Sequence, residues 1–283
     1  MNAPLDSEML DTLRDRALDV ARDAGECIVS VYGENGCGVD SVGVDVKQDR
    51  TPVTTADMAA HALIVESLAA VSPELPVLSE ESDAIPLAER IGWPAYWLVD
   101  PLDGTREFLR RNGEFSVNIA LVVDHRPVLG VIVAPVLDLV YHAVRGTGAW
   151  KSVGGAAFER IHVRDVPDRG PTVARSRCPT TGVRMQRFLD RLGEHDEVAM
   201  GSALKSCLVA EGVADVYARL GPTGEWDTGA AQVIVEEAGG HLVDTVSLQN
   251  LTYNRRESLI NPDFLVFGDR RVDWQGHLAP TGR

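Results

Sequence analysis

Two aspartates three residues apart, Asp100 and Asp103, stand in the stretch Tyr96 to Ser116, YWLVDPLDGTREFLRRNGEFS. The apolar run Tyr96-Trp97-Leu98-Val99 reads as a buried strand. Proline fixes φ and lacks an N–H, and Gly104 permits a sharp turn, so the strand is expected to end at Asp100-Pro101 and fold over. On such a turn the two carboxylates can converge, with the Leu102 carbonyl between them. Hard oxygen donors at a strand end suit Mg²⁺, which keeps positions open for water and phosphate. The chemistry this spacing offers is metal-assisted attack on a phosphate ester.

Further acids fall in comparable places. Pro76-Val77-Leu78-Ser79 reads as a short strand ending in Glu80-Glu81, and strand ends of one sheet deliver side chains to a common edge. Asp57 lies in the first turn of a helix capped by Thr54 or Thr55, where a plain helix-dipole role is the alternative. Asp227, in Glu225-Trp226-Asp227-Thr228, occupies an N-cap position ahead of a helix at Gly229–Ala238, as an ordinary cap or as a ligand facing a phosphate. Gly201-Ser202-Ala203-Leu204-Lys205 is a small-residue turn with a lysine one helical turn in, and Arg219 closes the strand after it. Together these basic residues are placed to hold a second phosphate.

The elements that must position these residues divide in two. Helices are expected at Ser7–Gly33 and from Thr54 to about Ala70, and the strand-like Val44–Lys47 lies between them. After the aspartates, apolar segments at 115–123, 128–136, 139–144 and 149–151 are joined by short loops, as in an antiparallel meander. Gly146-Thr147-Gly148 is no dinucleotide fingerprint, since no helix follows it. Beyond Gly154-Gly155 the pattern changes to strands at 161–163, 173–175, 197–200, 214–219, 241–243 and 265–267. These alternate with helices at about 181–192, 203–211 and 228–238, which suggests an α/β half with a mixed sheet. The reading is an α+β domain at 1–153 carrying most acids, an α/β domain at 154–270 carrying the substrate residues, and a frayed polar tail at 271–283.

Composition excludes several classes. A length of 283 residues allows one or two intimately packed domains. The net charge of −15 argues against a nucleic-acid polymer as partner. No apolar run approaches the ~18 residues of a bilayer span. The N-terminus is polar and acidic, unlike a signal or transit peptide, so a cytoplasmic protein is expected. Cys27, Cys37, Cys178 and Cys207 are scattered, without a C-x-x-C pair, so structural disulfides are not expected.

Glu80, Asp100-Pro101-Leu102-Asp103-Gly104-Thr105 and Trp226-Asp227 occur in the order and context of the inositol monophosphatase superfamily. The chain resembles that family over about residues 8–268, and within it is most similar to the CysQ-type 3′(2′),5′-bisphosphate nucleotidases. The stretches that carry this are PVLSEES, YWLVDPLDGTREFLRRNGEFSVNIAL, GSALKSCLVAEGVADVYARLGPTGEWDT and YNRRESLINP. One departure is Cys178, where that branch often has a histidine.

The resemblance implies a layered αβαβα sandwich of the inositol monophosphatase and fructose-1,6-bisphosphatase type. It implies two to three Mg²⁺ ions, replaceable by Mn²⁺ and antagonised by Li⁺. Glu80, Asp100 and the Leu102 carbonyl would hold the first ion, and Asp100, Asp103 and Asp227 the second; Glu80 also lies near a third, weaker site. Thr105 with Glu80 or Asp57 would orient and deprotonate water, and Asp103, Gly104, Thr105, Ser202, Lys205, Arg219 and Asp227 would contact substrate. The implied substrate is adenosine 3′,5′-bisphosphate, with 3′-phosphoadenylyl sulfate beside it, in sulfate assimilation; inositol 1-phosphate and fructose 1,6-bisphosphate are the alternatives. A homodimer is a further expectation from the family. Two rivals are a haloacid-dehalogenase phosphatase, whose aspartates stand two apart rather than three, and a retired phosphatase that senses ligand without turnover.

Overall fold

The computed structural model describes residues 6–34, 44–46, 52–177 and 182–278. Helix α1 (Ser7–Glu34) follows its apolar spacing, burying Ala17, Ala21, Ala24 and Ile28. A hairpin of β1 (Val44–Val46) and β2 (Pro52–Thr54) leads into α2 (Thr55–Val71). Thr54 caps α2 by accepting from the N–H groups of Ala56 and Asp57, and Asp57 returns a carboxylate oxygen to the Thr54 N–H at 2.8 Å. That reciprocal pair is a capping box, which fixes where the helix starts.

The first sheet has seven strands in chain order: β3 (Val77–Ser79), β4 (Ala95–Asp103), β5 (Ser116–Val123), β6 (Arg126–Ala134), β7 (Leu139–Val144), β8 (Gly148–Val153) and β9 (Glu159–Ile161). Only β3 and β4 run parallel; the rest is the expected meander, extended by one strand. Ile161 was expected in the second half; β9 instead pairs with β8 at the edge of the first sheet. The turn α3 (Leu87–Arg90) links β3 to β4, and α4 (Thr105–Leu109) follows β4.

The second sheet holds β10 (Thr172–Arg175), β11 (Asp196–Ala199), β12 (Val216–Arg219), β13 (His241–Asp244) and β14 (Phe264–Phe267), in the order β11-β10-β12-β14-β13. It is mixed, with β10 parallel to β11 and β12 and the other pairs antiparallel. Its helices are α5 (Val183–Leu192), α6 (Leu204–Ala210) and α7 (Gly229–Glu237), with a 3₁₀ turn Glu225–Asp227 ahead of α7.

Side-chain alternation turns these parts into layers. On β4, Trp97 and Val99 join a core with α1 and α2, whereas Tyr96 and Leu98 join another with α6 and α7. The period of two thus buries both faces of one strand, and β5 and β6 do the same. A third core, with Val173, Phe188, Leu265 and Trp274, closes the outer face of the second sheet against α5. The order is helices, sheet, helices, sheet, helix, the layered sandwich expected.

Three local expectations are corrected. The strand does not end at Asp100-Pro101: β4 continues to Asp103 through a register shift between Asp100 and Asp103. A proline is tolerated there because the ladder with β5 is interrupted, as at a bulge, and β3 has already ended on the other side. Asp227 is not the cap of α7: Thr228 takes that place, and Asp227 ends the preceding 3₁₀ turn. The C-terminal stretch is not frayed over 273–278, since Trp274 is buried and its indole N–H donates to the Asp269 carbonyl at 2.8 Å. Cys27 and Cys207 are free thiols; Cys37 and Cys178 lie outside the described residues.

Candidate active site

On β4 the alternation that points Leu98 toward α7 points Asp100 the same way. Ser79 on β3 is in register with Val99, and the Glu80 N–H donates to the Val99 carbonyl at 3.0 Å. Glu80 therefore sits beside Asp100 at the sheet edge. From the other side, α7 lies close enough to β4 that a Cβ on Gly229 would come within 2.9 Å of Leu98. This close approach needs a glycine at the first residue of α7, and it carries the turn ending at Asp227 up to Asp100.

Among the described residues, one group of His, Cys, Asp or Glu side chains has the spacing of a metal site. Carboxylate oxygens of Glu80, Asp100 and Asp227 all lie within 4.8 Å of one another. Two ligands of one Mg²⁺ at about 2.1 Å stand at most about 4.2 Å apart, so a small inward movement closes the triad on one ion. Its electrostatics agree. Burial first, then the charges of Glu80, Asp103 and Asp227, push the Asp100 carboxyl well above the carboxylate range. Burial first, then Asp103 and Glu80, does the same to Asp227. An all-oxygen cluster whose neighbours oppose its charge fits a hard divalent cation.

Asp103 is not part of this triad. Its Oδ2 accepts from the Ala203 N–H at 2.6 Å and from the Asn118 amide at 3.3 Å. The Ala203 N–H at the start of α6 thus holds a carboxylate. The Leu102 carbonyl accepts from the Thr105 hydroxyl at 3.4 Å, and that hydroxyl also stands 3.3 Å from Asp57 Oδ1. Asp57 therefore serves α2 and reaches the site as well. Its pKa is raised, chiefly by burial, although the Thr54 hydrogen bonds oppose the shift.

Next to the triad opens a cleft of about 770 Å³. Asp103, Gly104, Ser202, Lys205, Arg219 and Asp227, all expected at the substrate, line it. Lys205 is buried, with its ammonium 5.3 Å from the Tyr217 ring centroid and donating to the Ser202 carbonyl. Burial lowers its pKa against the pull of Asp103. Arg219 donates from one terminal nitrogen to the Pro222 carbonyl at 2.8 Å, while its buried Nε has no partner among the described residues.

Four further cations line the cleft that the sequence reading passed over: Arg106, Arg110, Arg175 and Arg184. The i,i+4 spacing of Arg106 on α4 and Arg110 at its C-cap was a usable signal, since it places both on one side of the turn. Glu225 was also missed. It is fully buried two residues before Asp227, and one carboxylate oxygen accepts from the Asn254 N–H at 2.6 Å. Asn254 in turn pairs with the buried Arg90, tying this turn to α3. Burial foremost pushes the Glu225 carboxyl up to about 7.

Comparison with known proteins gives consistent results. The model of the inositol monophosphatase family matches residues 9–270. The 3′(2′),5′-bisphosphate nucleotidase CysQ of Salmonella typhimurium is 47% identical over 252 residues, covering 89% of this chain and 98% of that protein. The crystal structure of CysQ from Bacteroides thetaiotaomicron superposes with a TM-score of 0.78 at 39% identity, covering 92% of this chain and 98% of the other. That of the extragenic suppressor protein suhB from Bartonella henselae also scores 0.78, at 26% identity, covering 96% and 100%.

Proposed function

The chain belongs to the inositol monophosphatase family and is a phosphatase, and from that premise we propose that it hydrolyses the 3′-phosphate of adenosine 3′,5′-bisphosphate to AMP and phosphate, and likewise acts on 3′-phosphoadenylyl sulfate. The observation that carries this reading is a cleft lined by Lys205 and Arg219 that reaches the carboxylate triad at Asp227. A site for one phosphate and one neutral sugar would have less use for the added cations Lys205 and Arg219 in the same cleft. The relatives named as 3′(2′),5′-bisphosphate nucleotidases support the same substrate class.

In this reading Glu80, Asp100 and Asp227, with Asp103 and the Leu102 carbonyl, hold Mg²⁺, and Li⁺ inhibits. Divalent cations supply charge neutralisation of the phosphate and acidify an attacking water. The chain does the rest. The Thr105 hydroxyl, held between Asp57 Oδ1 and the Leu102 carbonyl, fixes the direction of attack. Asp57 receives the proton, and a carboxyl raised by burial is a better base than an exposed one. The water oxygen bonds to phosphorus as the bond to the 3′ oxygen breaks, and the departing 3′ oxygen takes a proton from solvent water to become the hydroxyl of AMP. Lys205 and Arg219 meet the phosphate that is not cleaved and set the register of the one that is.

The test is kcat/KM with Mg²⁺ for adenosine 3′,5′-bisphosphate, inositol 1-phosphate and fructose 1,6-bisphosphate, each repeated with Li⁺. A preference for the nucleotide of about 100-fold or more, about 3 kcal/mol in the transition state, is expected. Comparable values for all three would refute the reading.

A further inference from the structure

The turn Gly201-Ser202-Ala203, which leads into α6 and so to Lys205, has no regular structure of its own to hold it. Ser202 has φ of 45°, a left-handed conformation costly for a residue with a Cβ, so its surroundings must impose it. Three side chains of the first sheet and the loop before β5 do so. Asp103 takes the Ala203 N–H, Ser116 donates its hydroxyl to Ser202 Oγ at 3.2 Å, and Glu114 Oε2 accepts from the Gly201 N–H at 2.9 Å.

Glu114 does more than the other two. It is buried, yet its second oxygen accepts two hydrogen bonds from the half-exposed guanidinium of Arg177, through Nε at 2.7 Å and through Nη2. Arg177 follows β10, and its neighbours Arg175 and Ser176 line the cleft. The backbone of Glu114 is packed from both sides. A Cβ on Gly201 would lie 2.3 Å from its carbonyl oxygen, and one on Gly104 would lie 3.4 Å from it. One buried residue thus touches the Asp103-Gly104 turn beside the acidic triad, the Ser202-Lys205 turn, and the segment after β10.

We infer that Glu114 is a positioning residue for specificity: through Gly201 and Arg177 it sets the distance between the site of phosphate cleavage and the cations that receive a second anionic group of the substrate. The inference rests on the bisphosphate reading above and adds to it the residue that enforces the preference. Glu114 does not line the cleft, so it acts through others. Its loss should affect substrates with two anionic groups and spare those with one.

The experiment compares the wild type, Glu114→Ala, Glu114→Gln and Arg177→Ala on adenosine 3′,5′-bisphosphate and on adenosine 3′-monophosphate, at fixed Mg²⁺. For Glu114→Ala the bisphosphate KM should rise about 10-fold or more, the loss expected for charge-assisted hydrogen bonds. Values of kcat for both substrates, and kcat/KM for the monophosphate, should stay within about 3-fold, because the transition-state contacts are untouched. Glu114→Gln keeps an oxygen for the Gly201 N–H and sets an amide against Arg177. It should restore part of the preference and match Arg177→Ala. Parallel losses on both substrates, or an unchanged ratio between them, would overturn the inference. Should Glu114→Ala fail to fold, Glu114→Gln and Arg177→Ala decide on the same ratio. A wild type with no preference for the bisphosphate overturns the functional reading and the inference with it; a preference that survives Glu114→Ala overturns the inference alone.

Discussion

Replacing Asp100 by Asn should stabilise the metal-free protein and destabilise the metal-bound one. Asp100 Oδ1 accepts from the Leu102 N–H at 3.0 Å, a bond that an asparagine oxygen can keep, so the strand end is not disturbed. What changes is charge. Two carboxylates within 4.8 Å of each other repel by about 3 kcal/mol or more at an effective dielectric of about 20. Partial protonation relieves some of that repulsion, so the gain in chelator at pH 8 should be about 1–3 kcal/mol. For a chain of this size that raises Tm by about 2–10 °C. Bound metal reverses the order: an ion at 100 times its Kd adds about 2.7 kcal/mol to the wild type, and Asp100→Asn forfeits much of it. The sign with pH follows from the raised pKa of Asp100. The folded metal-free protein binds more protons than the unfolded chain, so its stability falls as pH rises above the carboxylate range, and the advantage of Asp100→Asn grows. Thermal denaturation of both proteins in excess Mg²⁺ and in chelator measures all four states. A variant less stable than the wild type in chelator, or a wild-type Tm indifferent to Mg²⁺, would refute the argument.

Two other perturbations test separate parts. Lys205→Met keeps the volume of a buried side chain and removes its charge; kcat/KM for the bisphosphate should fall about 100-fold while inositol 1-phosphate hydrolysis falls less than about 5-fold, and equal losses would detach Lys205 from specificity. His142 is buried on β7 against Phe158, its Nδ1 has no partner among the described residues, and burial foremost, then Arg14, holds its pKa down to about 4. Between pH 6.5 and 4 the unfolded chain takes up a proton there that the folded one refuses, so acidification costs up to about 3 kcal/mol; denaturant titrations should find His142→Phe spared that part of the loss.

The alternating faces of β4 and the acids at its end were legible because side-chain period and turn chemistry are local. Pro101 misled for the same reason: whether a proline breaks a strand depends on which neighbours are still hydrogen-bonded there, and β3 stops short of it. The convergence of Glu80 and Asp100 with Asp227 was reached through a family resemblance, since nothing local brings residue 227 to residue 100. Glu114, Arg177 and Glu225 stayed silent because a buried carboxylate and a surface one have the same letter. Only the hydrogen bonds that receive them, from Gly201 and Asn254, tell them apart.

Because the face of β4 that carries Asp100 packs against the middle helices, the triad at its end is completed only when these have docked. Glu80 and Asp100 come with the first sheet, and Asp227 arrives on the 3₁₀ turn ahead of α7 after about half the chain has been laid down between them. Until that turn is in place, Glu80 and Asp100 lack the third carboxylate of the group. The order of assembly thus ties completion of the candidate site to the folding of the second half of the chain.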